Sequence, residues 1–137
     1  MGTRSTIGFV NSNGGVTGIY CHWDGYPEHN GRILRDHYTT PDKIRKLMKL
    51  GDLSSLGASI GRKHDFMATN MHHQCTAYGR DRGETGTEAQ LYADEAEFLA
   101  DDRGQDFTYL FKEGKWYCWD AYSNKAIDLY AMVDELV

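Results

Sequence analysis

The sequence predicts an α+β fold: an antiparallel sheet built from two hairpins, each followed by a helix, with helices packed on the sheet and an irregular middle segment. Two observations carry this. First, a pattern occurs twice. Residues 6–34 read as two strands, then Trp23-Asp24-Gly25-Tyr26, then a helix; residues 106–136 read as two strands, then Trp119-Asp120-Ala121-Tyr122, then a helix. Second, 15 Gly and 17 aromatic residues stand against only 2 Pro, a mix that suits strands, tight turns and packed rings rather than disorder. At 137 residues, one domain over 1–137 is expected, long enough for its own core.

The elements follow in order. Thr6–Val10 is rich in β-formers, and Asn13-Gly14 supplies a tight turn with positive φ. Val16–Trp23 is the return strand. Asp24-Gly25-Tyr26-Pro27 breaks it, and a helix is expected from about Glu28 to Tyr38, weakened by Gly31. The clearest helix follows. Thr40 caps it, Pro41 suits its first position, Ile44, Leu47 and Met48 form its apolar stripe, and Gly51 stops it. Residues 58–90 keep no period, apart from a short strand near Gln74–Tyr78. Long irregular stretches inside a compact domain often carry function. Tyr92–Leu99 reads as a short acidic helix. Phe107–Phe111 and Trp116–Tyr122 form the second hairpin around Glu113-Gly114-Lys115, and Asp128–Leu136 reads as a closing amphipathic helix.

Charge narrows the partners. The net charge is −5, but residues 1–63 hold nine Lys/Arg against five Asp/Glu, and residues 64–137 hold six against fifteen. Between Glu84 and Asp102 there are seven acids and no base. A duplex nucleic-acid partner is not expected, because such binders need a broad basic face. No stretch has the ~18 apolar residues of a membrane span, and no apolar signal core is present. The expectation is a cytoplasmic protein with no membrane partner. Three irregularly spaced Cys read as reduced thiols.

Three segments carry candidate chemistry. Cys21-His22-Trp23-Asp24-Gly25-Tyr26-Pro27-Glu28-His29-Asn30 concentrates His, acids and aromatics at a strand-to-helix junction. Trp23 and Tyr26 suit stacking on a ring, and His22 and Asp24 suit polar edges. The twin motif lacks both His, so Trp-Asp-x-Tyr reads as scaffold, with Trp119 in the core and His22, His29 and Glu28 as the surplus functional groups. Tyr78-Gly79-Arg80-Asp81-Arg82-Gly83-Glu84 places two guanidinium groups where they suit phosphate or carboxylate. Met71-His72-His73-Gln74-Cys75, with His22, Cys21 and His64, offers soft metal ligands at no standard zinc spacing. A Cys–His nucleophile is a weaker reading of the same residues. The common phosphate-loop, dinucleotide and hydrolase motifs are absent from the sequence.

Gly2-Thr3-Arg4-Ser5-Thr6, Tyr20-Cys21-His22-Trp23-Asp24-Gly25-Tyr26-Pro27 and Ala77-Tyr78-Gly79-Arg80-Asp81-Arg82-Gly83-Glu84 together resemble a family of small uncharacterised proteins of bacteriophages and prophages. The resemblance covers most of the chain and implies a setting rather than residue roles, since small phage proteins of this kind often antagonise host defence. The expected function is a phage-encoded accessory protein that binds and sequesters a nucleotide-like phosphorylated signal without catalysis and without a cofactor, in the host-cell cytoplasm, as a homo-oligomer. Arg4, Arg32, Arg80 and Arg82 would neutralise phosphate; Trp23 and Tyr26 would stack; His22 and Asp24 would read polar edges. The alternative partner is a host defence protein, inhibited through the acidic segment or the basic helix. A further alternative is a small metal-dependent hydrolase using His22, Asp24, His72, His73 and Cys75.

Overall fold

The computed structural model describes residues 2–68 and 73–132. The elements run β1 (Ser5–Val10), β2 (Val16–Cys21), a π-helical turn (Pro27–Gly31), α1 (Arg32–His37), α2 (Pro41–Leu50), β3 (Leu53–Ser55), β4 (Thr76–Ala77), α3 (Tyr78–Arg82), β5 (Gln90–Tyr92), α4 (Glu95–Ala100), β6 (Phe107–Lys112), β7 (Lys115–Asp120), β8 (Ala126–Ile127) and a 3-10 turn (Leu129–Ala131). The architecture is α+β. One mostly antiparallel sheet has the order β4-β3-β2-β1-β6-β7-β8, and β5 pairs with β2 beside that path. The central pairing, β1 with β6, is parallel and joins Ser5–Phe9 to Phe107–Phe111.

Strand alternation sorts side chains onto two faces. One face carries Ile7, Phe9, Ile19, Cys21, Tyr109, Phe111, Trp116 and Cys118, which pack with Leu34 of α1 and Ile44, Leu47 and Met48 of α2. The rings interlock there: Trp116 donates its indole N–H to the Tyr38 carbonyl at 2.9 Å, and Phe111 meets Trp116 edge-on at 5.2 Å. α2 forms as its sequence dictates. The Thr40 hydroxyl accepts the Lys43 N–H, and Gly51 ends the helix at φ 74°.

The opposite face is only part-covered. Gly8 and Gly18 face each other across β1 and β2, and Phe98 of α4 sits over them. A Cβ on Gly8 would lie 2.6 Å from the Phe98 ring, and one on Gly18 2.8 Å. Phe98 meets Tyr92 edge-on at 5.3 Å and completes a small second core with Val16 and Leu110. Helices therefore lie on both faces, whereas the sequence suggested one.

Three further expectations change. The helix expected over 28–38 opens as a π-turn, because Asn30 and Gly31 are buried against the sheet and Asn30 N–H bonds back to the Asp24 carbonyl at 3.2 Å. The short strand expected near Gln74–Tyr78 is cut to Thr76–Ala77, and a short helix, Tyr78–Arg82, follows at once. The closing helix expected over 128–136 is, within the described residues, only the 3-10 turn Leu129–Ala131, preceded by β8; residues 133–136 lie outside them. Arg35 explains the change locally. Its guanidinium takes the carbonyls of Leu129 at 3.0 Å and Met132 at 3.3 Å, and Asp128 caps the Tyr130 N–H at 2.9 Å.

The two-glycine notch makes a prediction. Phe98→Ala should lower stability by about 3–5 kcal/mol in urea unfolding, since it empties a buried ring site. Gly18→Ala should destabilise wild type but cost much less in the Phe98→Ala background, because the same ring is what its methyl meets.

Candidate ligand-binding corner

The loop after β2 is a buried polar knot. Asp24 adopts φ 57°, and Gly25 presses so close to β1 that a Cβ would lie 2.8 Å from the Arg4 carbonyl carbon. Gly25 donates its N–H to Thr3 at 2.7 Å and accepts the Tyr109 hydroxyl at 2.6 Å. Fully buried Asn30 donates its amide to Ser5 Oγ, Cys21 Sγ and the Trp23 carbonyl, and its Oδ1 meets His29 Nδ1 at 2.8 Å. His29 thus serves the scaffold, and Tyr26 sits 6.0 Å from it at the surface.

The knot presents a corner on the part-covered face. Tyr20 and His22 follow one another on that face, with the Tyr20 hydroxyl 3.0 Å from His22 Nδ1. His22 meets Trp23 edge-on at 4.7 Å. Trp23 is 44% exposed, and its ring rests on the backbone of Gly2. Neither it nor Trp119, which is half-buried, is the core anchor that the twin motif suggested; Trp116 holds that place.

Arg103 and Asp52 close the corner. β5 pairs with β2 at residues 16–18 and β3 meets it at Cys21, which leaves the Tyr20 N–H between them. Asp52 accepts that N–H at 3.0 Å, and Arg103 pairs with the same carboxylate at 3.0 Å. The Arg103 guanidinium lies 5.5 Å from the Tyr20 ring centre. Burial raises the Tyr20 pKa, and the nearby charges of Arg4 and Arg103 oppose that rise. Arg4 is exposed and reaches over Gly104. Among the described residues its guanidinium makes no ion pair or hydrogen bond; its backbone N–H, by contrast, bonds Asp106 Oδ2 at 2.9 Å.

The other predicted cations lie elsewhere. Arg80 has a structural post. It donates to the carbonyls of Ile60 at 2.8 Å and Cys75 at 2.7 Å and forks onto Asp81. Asp81, buried, also accepts the N–H groups of His64 and Ala77, so these groups staple the irregular segment to β4. Arg82 stacks over Phe66 and Tyr78 and pairs with Glu84. Arg32 sits in a shallow hollow on α1 with Glu28, His29 and Asp36. The structure therefore brings His22 and Trp23 into ring contact, sets Arg4 where its charge acts on the neighbouring Tyr20, gives Asp24 a backbone role in the loop, and leaves Arg32, Arg80, Arg82 and Tyr26 in other surroundings. Sequence reading missed Tyr20, Asp52 and Arg103. The one available signal was Arg103 itself, a lone base ending the acidic run.

The metal and nucleophile readings gain no geometry. No group of three or more His, Cys, Asp or Glu able to hold a metal occurs among the described residues, and His72 lies outside them. Cys75 is fully buried against the Tyr38 hydroxyl and Gly57, and His73 is exposed. All three Cys are free thiols. Burial pushes Cys21 up to about 12 and Cys75 upward as well, opposite to the depression that activates a nucleophile. No described helix is long and apolar enough to cross a membrane.

Comparison with protein-family models, with curated proteins and with solved structures gives no match to this chain.

Asp81 provides a pH prediction. Burial works to raise its pKa, but bonds from Arg80 and from the Ala77 and His64 N–H groups prevail and hold it below the ordinary carboxylate value. A depressed folded pKa stabilises above the unfolded value of about 3.9 and is lost as pH falls through the folded one. Wild type should therefore lose stability steeply on acidification below about pH 4, and Asp81→Asn should flatten that limb in pH-dependent urea unfolding. Arg80→Ala should cost about 3–5 kcal/mol at neutral pH, because it strands a buried carboxylate.

Proposed function

We propose that this chain is a non-catalytic binding protein that takes up a phosphorylated, nucleotide-like molecule at the Arg4–Trp23 corner. In the setting its phage resemblance implies, it is an accessory protein that sequesters such a signal from host defence in the host-cell cytoplasm, as a homo-oligomer. The observation that carries the ligand class is Arg4: an exposed guanidinium without a carboxylate among the described residues, whose charge is felt at Tyr20, on the sheet face where the half-exposed Trp23 meets His22. Arg80, Arg82 and Arg103 each have a carboxylate of their own.

In this reading the two hairpins are halves of a scaffold that delivers Arg4 from the start of one and Asp106 from the start of the other. The phosphate meets Arg4 with the one proton left free by the Tyr20 hydroxyl–His22 pair as a further donor, and the ring lies on Trp23. One unpaired guanidinium, with Asp24 and Asp106 close by in the chain path, favours a single phosphate group over a polyphosphate. Arg82 stacks over Phe66 and Tyr78 and pairs with Glu84, away from Arg4.

Thermal unfolding against cyclic dinucleotides, cyclic trinucleotides, ADP-ribose derivatives and mononucleotides tests this. A ligand at a hundredfold excess over its Kd should add about 2.7 kcal/mol. Arg4→Ala and Trp23→Ala should abolish the shift while the unliganded midpoint stays within about a degree, as expected of exposed side chains. Arg82→Ala should weaken binding less than Arg4→Ala. No shift with any class defeats the reading.

A further inference from the structure

A second concavity lies on the same sheet face, across the Asp101–Asp106 loop from Tyr20. It is an open groove of about 560 Å³ between the end of α4 and the turn after β7, walled by Leu99, Asp101, Asp102, Gln105, Trp119 and Tyr122. Among the described residues, the charged side chains lining it are the carboxylates of Asp101 and Asp102. The floor is aromatic: Trp119 stacks with Tyr117 at 6.3 Å and 23° along the exposed side of β7.

Tyr122 is built as a wall rather than left loose. It is 79% exposed, yet its hydroxyl bonds Asp106 at 2.8 Å and its N–H bonds Asp120 at 2.9 Å. Asp120 also accepts the Ser123 N–H and fixes the turn. An exposed ring held at both ends has already lost its rotamer freedom, and a partner stacking on it pays less on binding. Gln105 and Thr108, both buried, are satisfied within the chain, so the floor is rigid too.

We infer that this groove docks an arginine side chain from a basic segment of a partner protein. Fixed aromatic faces attract a cation through their quadrupoles, and carboxylates at the rim complete an ion pair. A planar guanidinium combines stacking on an aromatic face with bonds to a carboxylate, which an ammonium does not do. Asp102 Oδ1 already accepts the Gly104 N–H and Asp101 Oδ2 the Tyr92 hydroxyl, so Asp102 Oδ2 is the acceptor the groove offers. Charge complementarity extends past the groove, because the run from Glu84 to Asp102 carries seven acids and no base to meet the rest of a basic segment. The groove shares Asp106 with the Arg4 corner, and the Arg4 charge is felt at Tyr122, but the inference stands without the function proposed there.

Fluorescence anisotropy of short labelled oligo-arginine and oligo-lysine peptides, at fixed low salt, tests the assignment. Oligo-arginine should bind more tightly than oligo-lysine. Tyr122→Ala, at a side chain too exposed to matter for folding, and Asp102→Asn should each weaken oligo-arginine about tenfold, the scale of one cation–π contact or ion pair. Glu88→Gln, an equal loss of charge elsewhere in the acidic run, should change it less than twofold, about the size of an exposed charge's effect. Equal binding of the two peptides, or equal loss in Asp102→Asn and Glu88→Gln, would mean diffuse charge attraction and overturn the inference. So would an absence of binding, or binding unmoved by Tyr122→Ala. A chemical-shift change at the Trp119 indole on adding oligo-arginine supports it, and shifts confined to α2 in a concentration series without peptide would point to a second copy as the occupant instead.

Discussion

The parallel pairing of β1 with β6 is the constraint on which the rest depends. It joins strands about a hundred residues apart in the chain, a closure whose entropic cost grows only slowly with loop length. Its start is locked by a short backbone cluster. The Arg4 carbonyl accepts the N–H groups of Asp106 at 2.8 Å and Phe107 at 3.2 Å, and the Arg4 N–H returns to the Asp106 carboxylate. From the other side Gly25 packs on Arg4 with no room for a Cβ, and Tyr109 of β6 holds the Gly25 carbonyl. Register is thereby fixed to the residue, and a slip by one would turn Ile7 and Phe9 out of the main core. The same lock aims Arg4 at the part-covered face.

Arginine placement shows what separates a scaffold cation from a candidate ligand-binding one. Spacing alone marked Arg80 and Arg82 as a pair, since they stand two apart beside glycines. A helix instead points them differently, and what decides their roles is mostly distant backbone: Ile60 and Cys75 carbonyls for Arg80, the Phe66 ring for Arg82. Arg103 finds Asp52 across 51 positions of sequence. None of these partners has a local signature. Buried guanidinium groups need full sets of acceptors, so a cation's neighbours, rather than its spacing, tell whether it is spent.

Legibility followed locality. The α2 helix was readable because its cap, stripe and stop lie within twelve residues and agree with its final burial. The hairpin turns at Asn13-Gly14 and Glu113-Gly114 were readable for the same reason. Residues 58–68 and 73–84 were not, because their order comes from the Arg80–Asp81–His64 staple rather than from a period. The Trp-Asp-x-Tyr echo misled in a useful way. Alternation along β7 correctly separates Trp116 from Trp119, but only tertiary packing decides which side receives α1 and α2 and which receives the short α4. Gly8 and Gly18 were the overlooked clue: two glycines in register across a hairpin mark where a ring will sit.

The part-covered face then has a physical logic. α4 is six residues long and anchors through one ring, so it cannot shield a sheet of this width. What it leaves bare is divided by the Asp101–Asp106 loop into a corner with Arg4 and Trp23 and a groove with Asp102 and Trp119. Asp106 stands at the divide and serves both, with Oδ2 on the Arg4 N–H and Oδ1 on the Tyr122 hydroxyl. A carboxylate that orders the backbone of one concavity and the wall of the other makes both of them products of the same strand pairing. Their charge differs in balance rather than in kind: the corner sets Arg4 and Arg103 beside Asp52 and Asp106, whereas the groove's charged lining among the described residues is Asp101 and Asp102.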